Sequence, residues 1–123
     1  MSGYTELGTF LSTAYDLSVQ STGKPIGHKY YGVTSSGVSL KNHSRKSAMA
    51  IATDPKVIPT GTKVYIEFEE PYSDFNGIYT AVDKGGAIKG KKIDLFMGDF
   101  RSNSPHPSVY QFGKRNVKIY KVD

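Results

Sequence analysis

Asp54, Asp83 and Asp94 each end or interrupt a short apolar run: Ala50-Ile-Ala-Thr-Asp54-Pro, Tyr79-Thr-Ala-Val-Asp83-Lys-Gly-Gly and Lys92-Ile-Asp94-Leu-Phe. A strand fixes the backbone beneath such a carboxylate and can aim it into a cleft. Successive side chains of a strand face opposite ways. Ile93 and Leu95 therefore point into a core, while Asp94 points away from it beside Phe96. A carboxylate next to an aromatic on a partly buried face loses hydration, which disfavours its charged form and raises its pKa. A general acid working near neutral pH needs that environment. Asp54-Pro and Asp83-Lys-Gly-Gly also read as ordinary turns, in which aspartate bonds its own backbone. Asp94 fits that reading less well, because aspartate is depleted in strands; its alternative is a solvent-facing position.

The elements that must hold these residues are mostly strands. The pattern predicts Thr9–Tyr15, Ala48–Thr53, Thr62–Phe68, Gly77–Val82, Lys92–Phe96 and Asn116–Lys121, with a short extended piece at Val33–Gly37. Residues 18–32 and 38–47 read as loops, and 69–76 as an acidic loop. Asp54-Pro55 opens a turn, because proline disfavours helix at the preceding residue. A helical turn is expected at Ser108–Phe112, closed by Gly113. The 13 glycines and 9 tyrosines suit a β-rich chain with many tight turns.

The 123 residues fit a single domain, residues 1–123 with a core over about 9–122. Cysteine is absent, so no disulfide is required. No apolar run is long enough to span a membrane, and the first residues lack the features of a secretory signal. A net charge of +5 suits nucleic acid, an anionic wall polymer or an anionic membrane. The lysines form no dense block, and no aromatic–basic interleaving resembles a stacking platform for nucleic acid. His28, His43 and His106 lack metal-ligand spacing, so neither metal nor cofactor is expected.

Sliding the chain by 29 residues aligns Ala52 with Ala81, Asp54 with Asp83, Gly61 with Gly90 and Lys63 with Lys92. Val64 then meets Ile93, and Ile66 meets Leu95. The pattern predicts a duplicated strand-turn-strand unit in which Tyr65 of the first copy stands where the second has Asp94.

Several segments together resemble a known family. They are Thr13-Ala-Tyr, Val33-Thr-Ser-Ser-Gly, Ala52-Thr-Asp54-Pro, Ile58-Pro-Thr-Gly-Thr-Lys-Val-Tyr-Ile, Ala81-Val-Asp83-Lys-Gly-Gly-Ala-Ile-Lys-Gly-Lys-Lys-Ile-Asp94-Leu-Phe and Phe112-Gly-Lys-Arg-Asn-Val-Lys-Ile-Tyr. The chain is similar in these to the 3D domain, named for three aspartates, over about Thr9 to Val122. That domain in turn resembles the catalytic barrel of MltA-type lytic transglycosylases and the stationary-phase muralytic enzymes of Gram-positive bacteria. The resemblance implies a mainly β fold, a six-stranded double-psi β-barrel with one or two short helical turns. It implies cleavage of the MurNAc–GlcNAc bond of peptidoglycan, leaving a 1,6-anhydro-MurNAc end. Asp94 then matches the catalytic acid/base, Asp83 its close partner and Asp54 the third aspartate, expected to be structural. Tyr15, Thr34 and Lys89 are the candidate supporting residues for glycan. Two departures from the pattern stand out, an insertion over Glu67–Asn76 and an irregular loop over Ser18–Gly32, and at least one is expected to border the cleft.

Other readings stay open from sequence. A muramidase would use water on the same scaffold, and an expansin-like barrel would bind glycan without cutting it. The expected partner is the peptidoglycan glycan strand, met by a monomer without nucleic acid or membrane insertion. The expected place of action is the cell wall. A signal-free chain of this kind suits a phage lysin, a virion-associated enzyme or an excised domain of a larger protein.

Overall fold

The structure, a computed structural model, describes residues 3–123. Six strands dominate it: β1 (Tyr4–Tyr15), β2 (Ala50–Thr53), β3 (Lys63–Phe68), β4 (Gly77–Asp83), β5 (Lys92–Phe96) and β6 (Arg115–Val122). Hydrogen bonding runs in the order β1-β5-β2-β4-β3-β6 and returns from β6 to β1, leaving no free edge. The β1–β5 and β2–β4 pairs are parallel. The remaining pairs are antiparallel.

Alternation builds the core. Val64 and Ile66 of β3, Ile93 and Leu95 of β5 and Ile119 of β6 are fully buried, packed with Phe10, Ile51, Tyr79 and Ala81. A second cluster joins Ala50, Ala52, Val82 and Phe96 to Tyr15, Leu17, Tyr31 and Leu40. Every residue of β2 is buried, which is why it reads as an unbroken apolar run rather than an alternating one.

The strand β1 begins at Tyr4, five residues before the expected Thr9. Glu6 and Gly8 break the alternation there. The pairing with β6 shifts register between them, and Gly8, at φ 100°, supplies the bulge. Short helices are more numerous than expected: α1 (Val19–Thr22), α2 (Arg45–Ala48) and α3 (Pro107–Phe112), with a 3-10 turn at Ser73–Phe75. Ala48 thus belongs to α2 and not to the following strand. Ser44 and Ser47 form the reciprocal capping box that starts this turn, a signal that reads as loop without its apolar periodicity.

The insertion is not simply an exposed loop. Glu67 and Phe68 continue β3. Beyond them Tyr72 and Phe75 fold back on Phe112, with ring centroids at 5.0 and 6.4 Å. The Arg45 guanidinium lies 3.9 Å from the Phe75 ring centre, and that of Arg115 lies 4.4 Å from Tyr72. Arg45 also donates to the Tyr79 hydroxyl at 2.7 Å, and that hydroxyl donates to the Phe75 carbonyl at 2.7 Å. The insertion therefore extends the aromatic core.

The 29-residue repeat appears in the pairing, but not in one register. β2 and β4 lie side by side and parallel, so Asp54 and Asp83 leave from the same ends of adjacent strands. β5 flanks β2, as β3 flanks β4, both antiparallel. Ile51 pairs with Leu95; carried over by the offset, Thr80 would pair with Ile66. It pairs instead with Lys63, a displacement of three residues.

Candidate active site

Asp94 occupies the middle of β5, between two residues that are fully buried on the core side. Its own side faces Phe96 and the second apolar cluster, as the alternation requires. On β1 its register partner is Thr13, whose hydroxyl donates to Asp94 Oδ1 at 2.9 Å. On β2 its partner is Ala52, which is also paired with Asp83 of β4. Asp83 and Asp94 thus stand two strands apart with one small residue between them. Strand spacing puts their Cα atoms about 10 Å apart, and the intervening strand presents only the Ala52 methyl at this position.

The cleft above these residues has a volume of about 630 Å³. Asp83, Asp94 and Ala52 lie on its floor with Tyr15. One side is formed by the segment after β1, with Leu17, Ser21, Thr22, Lys24, Tyr30 and Gly32. The Ser18–Gly32 segment therefore borders the cleft, as expected, while no residue of the Glu67–Asn76 insertion lines it. Gly32 is required for this wall: its φ is 79°, and a Cβ there would lie 2.8 Å from the backbone nitrogen of Lys41. The other side is formed by Lys84, Gly85 and Ile88.

Electrostatics separate the three aspartates. Burial pushes the Asp94 carboxyl up from 3.8 to about 6. The Thr13 hydroxyl and the Lys92 charge oppose that rise, and the Asp83 charge adds to it. Asp83 is tied into the floor: its Oδ1 accepts from the backbone N–H of Ser35 at 3.0 Å and of Lys84 at 2.9 Å. It therefore ties the Val33–Ser35 segment to the start of the Lys84–Ile88 segment as well as contributing charge. Asp54 is buried but lines no part of the cleft. Its Oδ2 accepts from Gly90 N–H at 2.9 Å and its Oδ1 from Lys56 N–H at 3.0 Å. These two bonds, with Lys89 and Lys56 nearby, hold the carboxyl below its ordinary pKa. Asp54 thus braces the segment that carries Lys84 and Ile88.

The remaining candidates divide. Tyr15 is buried on the floor, with its hydroxyl lacking a hydrogen-bond partner among the described residues. Burial first, then the Asp83 and Asp94 charges, push this phenol above its ordinary range, so it stays protonated. Its ring packs against Phe96 at 5.7 Å, so it is not an open stacking surface. Thr34 lines the cleft with its hydroxyl engaged by the Val38 carbonyl at 2.9 Å. Lys89 is exposed beside Asp54 and is not part of the cleft lining. Thr13 stands in the sequence only as part of the Thr13-Ala-Tyr segment, and Lys24 only as part of a loop. Thr13 was legible in principle: it lies two residues before Tyr15 on one strand, so both share the face that meets Asp94.

The fold around this cleft is the fold of MltA, a lytic transglycosylase of Escherichia coli. The structure of MltA with bound chitohexaose matches 85% of this chain and 29% of its own, with a TM-score of 0.57 and 22% identity. At that identity the likeness is one of fold. The chain belongs to the 3D domain family, whose pattern matches residues 49–123. Two Bacillus subtilis (strain 168) proteins are similar to it. YabE is 40% identical over 111 residues, 90% of this chain and 22% of YabE. The cell wall-binding protein YocH is 48% identical over 66 residues, 54% of this chain and 20% of YocH. The chain thus spans about a fifth of the length of these curated relatives. Among the described residues no helix is long and apolar enough to cross a membrane.

Proposed function

We propose that this domain cleaves the glycan strands of peptidoglycan as a lytic transglycosylase, with Asp94 as its single acid and base, on a closed sheet of the double-psi β-barrel type. The observation that carries the reading is a carboxyl on the cleft floor whose pKa burial lifts to about 6. The similarity to a lytic transglycosylase fold and to a cell wall-binding protein supports the choice of substrate.

The chemistry needs one proton carrier. Asp94, protonated, gives its proton to the oxygen bridging MurNAc and GlcNAc as the C1–O bond breaks. The ionised Asp94 then takes the proton of the MurNAc C6 hydroxyl as that oxygen attacks C1. The glycan is cut, a 1,6-anhydro end forms, and Asp94 recovers its proton without water being consumed. Thr13 serves the second half, since its hydroxyl donates to the ionised carboxylate. Asp83 serves the first, since its charge favours the protonated one. Asp54 is a positioning residue for the Lys84–Ile88 wall.

Intact sacculi digested with the protein and with its Asp94→Asn variant decide the matter by mass spectrometry. The expected result is 1,6-anhydro-muropeptides from the parent and none from the variant, with unchanged circular dichroism. Reducing ends would replace the transglycosylase by a muramidase. No new ends from either protein would leave only glycan binding.

A further inference from the structure

We infer that the cleft selects glycan carrying an ionised carboxylate, through Lys24 and Lys84 on its two sides. This rests on the glycan-cleaving reading above and names the feature of the substrate that the site reads.

The cleft floor carries two carboxyl groups, Asp83 and Asp94. A negatively charged ligand entering over them meets repulsion unless positive groups stand closer. Two do. Lys24 belongs to the Ser18–Gly32 side and Lys84 to the other side, and both line the same space. Lys24 is held in place: its side chain is half-buried, and its Nζ donates to the Val33 carbonyl at 2.9 Å. A carbonyl takes one of the three ammonium N–H bonds and none of the charge. The ammonium is thus fixed at the cleft with donors left for an anion, and little side-chain entropy remains to be lost on binding. Lys84 follows Asp83 directly, and its backbone N–H is fixed by the Asp83 carboxylate at 2.9 Å while its side chain is exposed. The rest of the lining is neutral: the hydroxyl-bearing Ser21, Thr22, Thr34 and Ser35, with half-exposed Tyr30. A neutral chitin-like chain would use the hydroxyls and Tyr30 but neither charge. A glycan whose sugars bear a lactyl ether acid, or a peptide ending in acids, would use both. Lys89, on the far side of the Asp54 brace, is not placed to take part.

The test uses the full chain with Asp94→Asn, so that ligands bind without turnover. Binding is measured by calorimetry at low salt for three soluble hexasaccharides: chitohexaose, a peptide-free muramyl glycan with free lactyl acids, and the same glycan with its peptides. At least one acidic ligand should bind about tenfold tighter than chitohexaose, as expected for a charge-assisted hydrogen bond. Added salt should shrink that preference. Preference for the peptide-free glycan assigns the lactyl acid; preference for the peptide-bearing one alone assigns the peptide. Adding Lys24→Gln keeps a donor for the Val33 carbonyl but removes the charge. With Lys84→Met it should bring the affinities close together while leaving chitohexaose binding and melting temperature unchanged. Lys89→Met should change nothing. Equal affinities for all three ligands before any lysine is changed would overturn the inference and leave the glycan reading standing. A Lys24→Gln effect equal on neutral and acidic ligands would also overturn it, assigning Lys24 a structural role. Binding of none of the three would overturn the glycan reading itself, and this inference with it.

Discussion

Replacing Asp94 by asparagine should make the protein more stable at neutral pH while removing its activity. The folded carboxyl titrates at about 6 against an ordinary 3.8. Between those values the folded protein holds a proton that the unfolded chain has released. Folded stability therefore falls as pH rises through this window and levels off above it. The difference of roughly 2 pKa units, at about 1.36 kcal/mol each, sets a ceiling of about 3 kcal/mol. Asparagine carries no charge to desolvate, and its carbonyl can still accept from the Thr13 hydroxyl. Urea unfolding of both proteins from about pH 3.5 to about pH 7.5 measures the difference directly. Near pH 3.5 the folded carboxyl is protonated and the unfolded one mostly so, and the curves should nearly coincide. Near pH 7.5 the variant should unfold at distinctly higher urea with the same slope. A variant no more stable than its parent at pH 7.5 would refute the reasoning, as would a gain that persists undiminished in acid. Either result would mean that burial does not set the Asp94 pKa.

Thr13→Val removes a bond that favours the ionised carboxylate, so the alkaline limb of the cleavage rate should move up by about one pH unit; a limb that stays put would remove Thr13 from the site. Asp83→Asn should move the same limb down, and by less, because burial and not Asp83 is the main cause of the raised pKa; an upward move would refute the sign. Asp54→Asn leaves one acceptor oxygen where two are in use, so amide exchange should quicken at Gly90 or Lys56 while the pH profile is unchanged. Phe75→Ala should destabilise the fold by about 2–3 kcal/mol, read from denaturant midpoints, with the cleavage rate per folded molecule unaltered.

Much of the geometry around the candidate carboxylates was legible because strand alternation is a strong local signal. Ile93-Asp94-Leu95 could hold its aspartate only on the face away from the core, and β5 spans Lys92–Phe96 as the residues imply. The turn chemistry of Asp54 was legible too, though not that its second oxygen reaches Gly90, 36 residues on. What sequence could not supply was the folding of polar segments onto the sheet. The stretches 18–32 and 38–47 read as loops, yet Leu17, Tyr31 and Leu40 in and beside them pack with Ala50, Ala52 and Phe96, and the same wall carries Lys24 to the cleft. Lys89 was singled out for its place in the run before β5, where nearness in sequence stood in for nearness in space. The insertion misled in the opposite way. Its acidic residues suggested an open loop, but Tyr72 and Phe75 bind it to Phe112 across the molecule.

Ala52 contributes no functional group, yet it governs whether the two carboxylates share a space. It is paired with both Asp83 and Asp94, and on the strand between theirs it presents only a methyl. A leucine or phenylalanine there would fill the gap from below and leave every aspartate in place. Counting aspartates therefore does not identify a competent relative. A chain with all three and a large residue at this position would keep the emblem of its family and lose the groove. Such a chain is where a domain that grips the wall without cutting it should be sought.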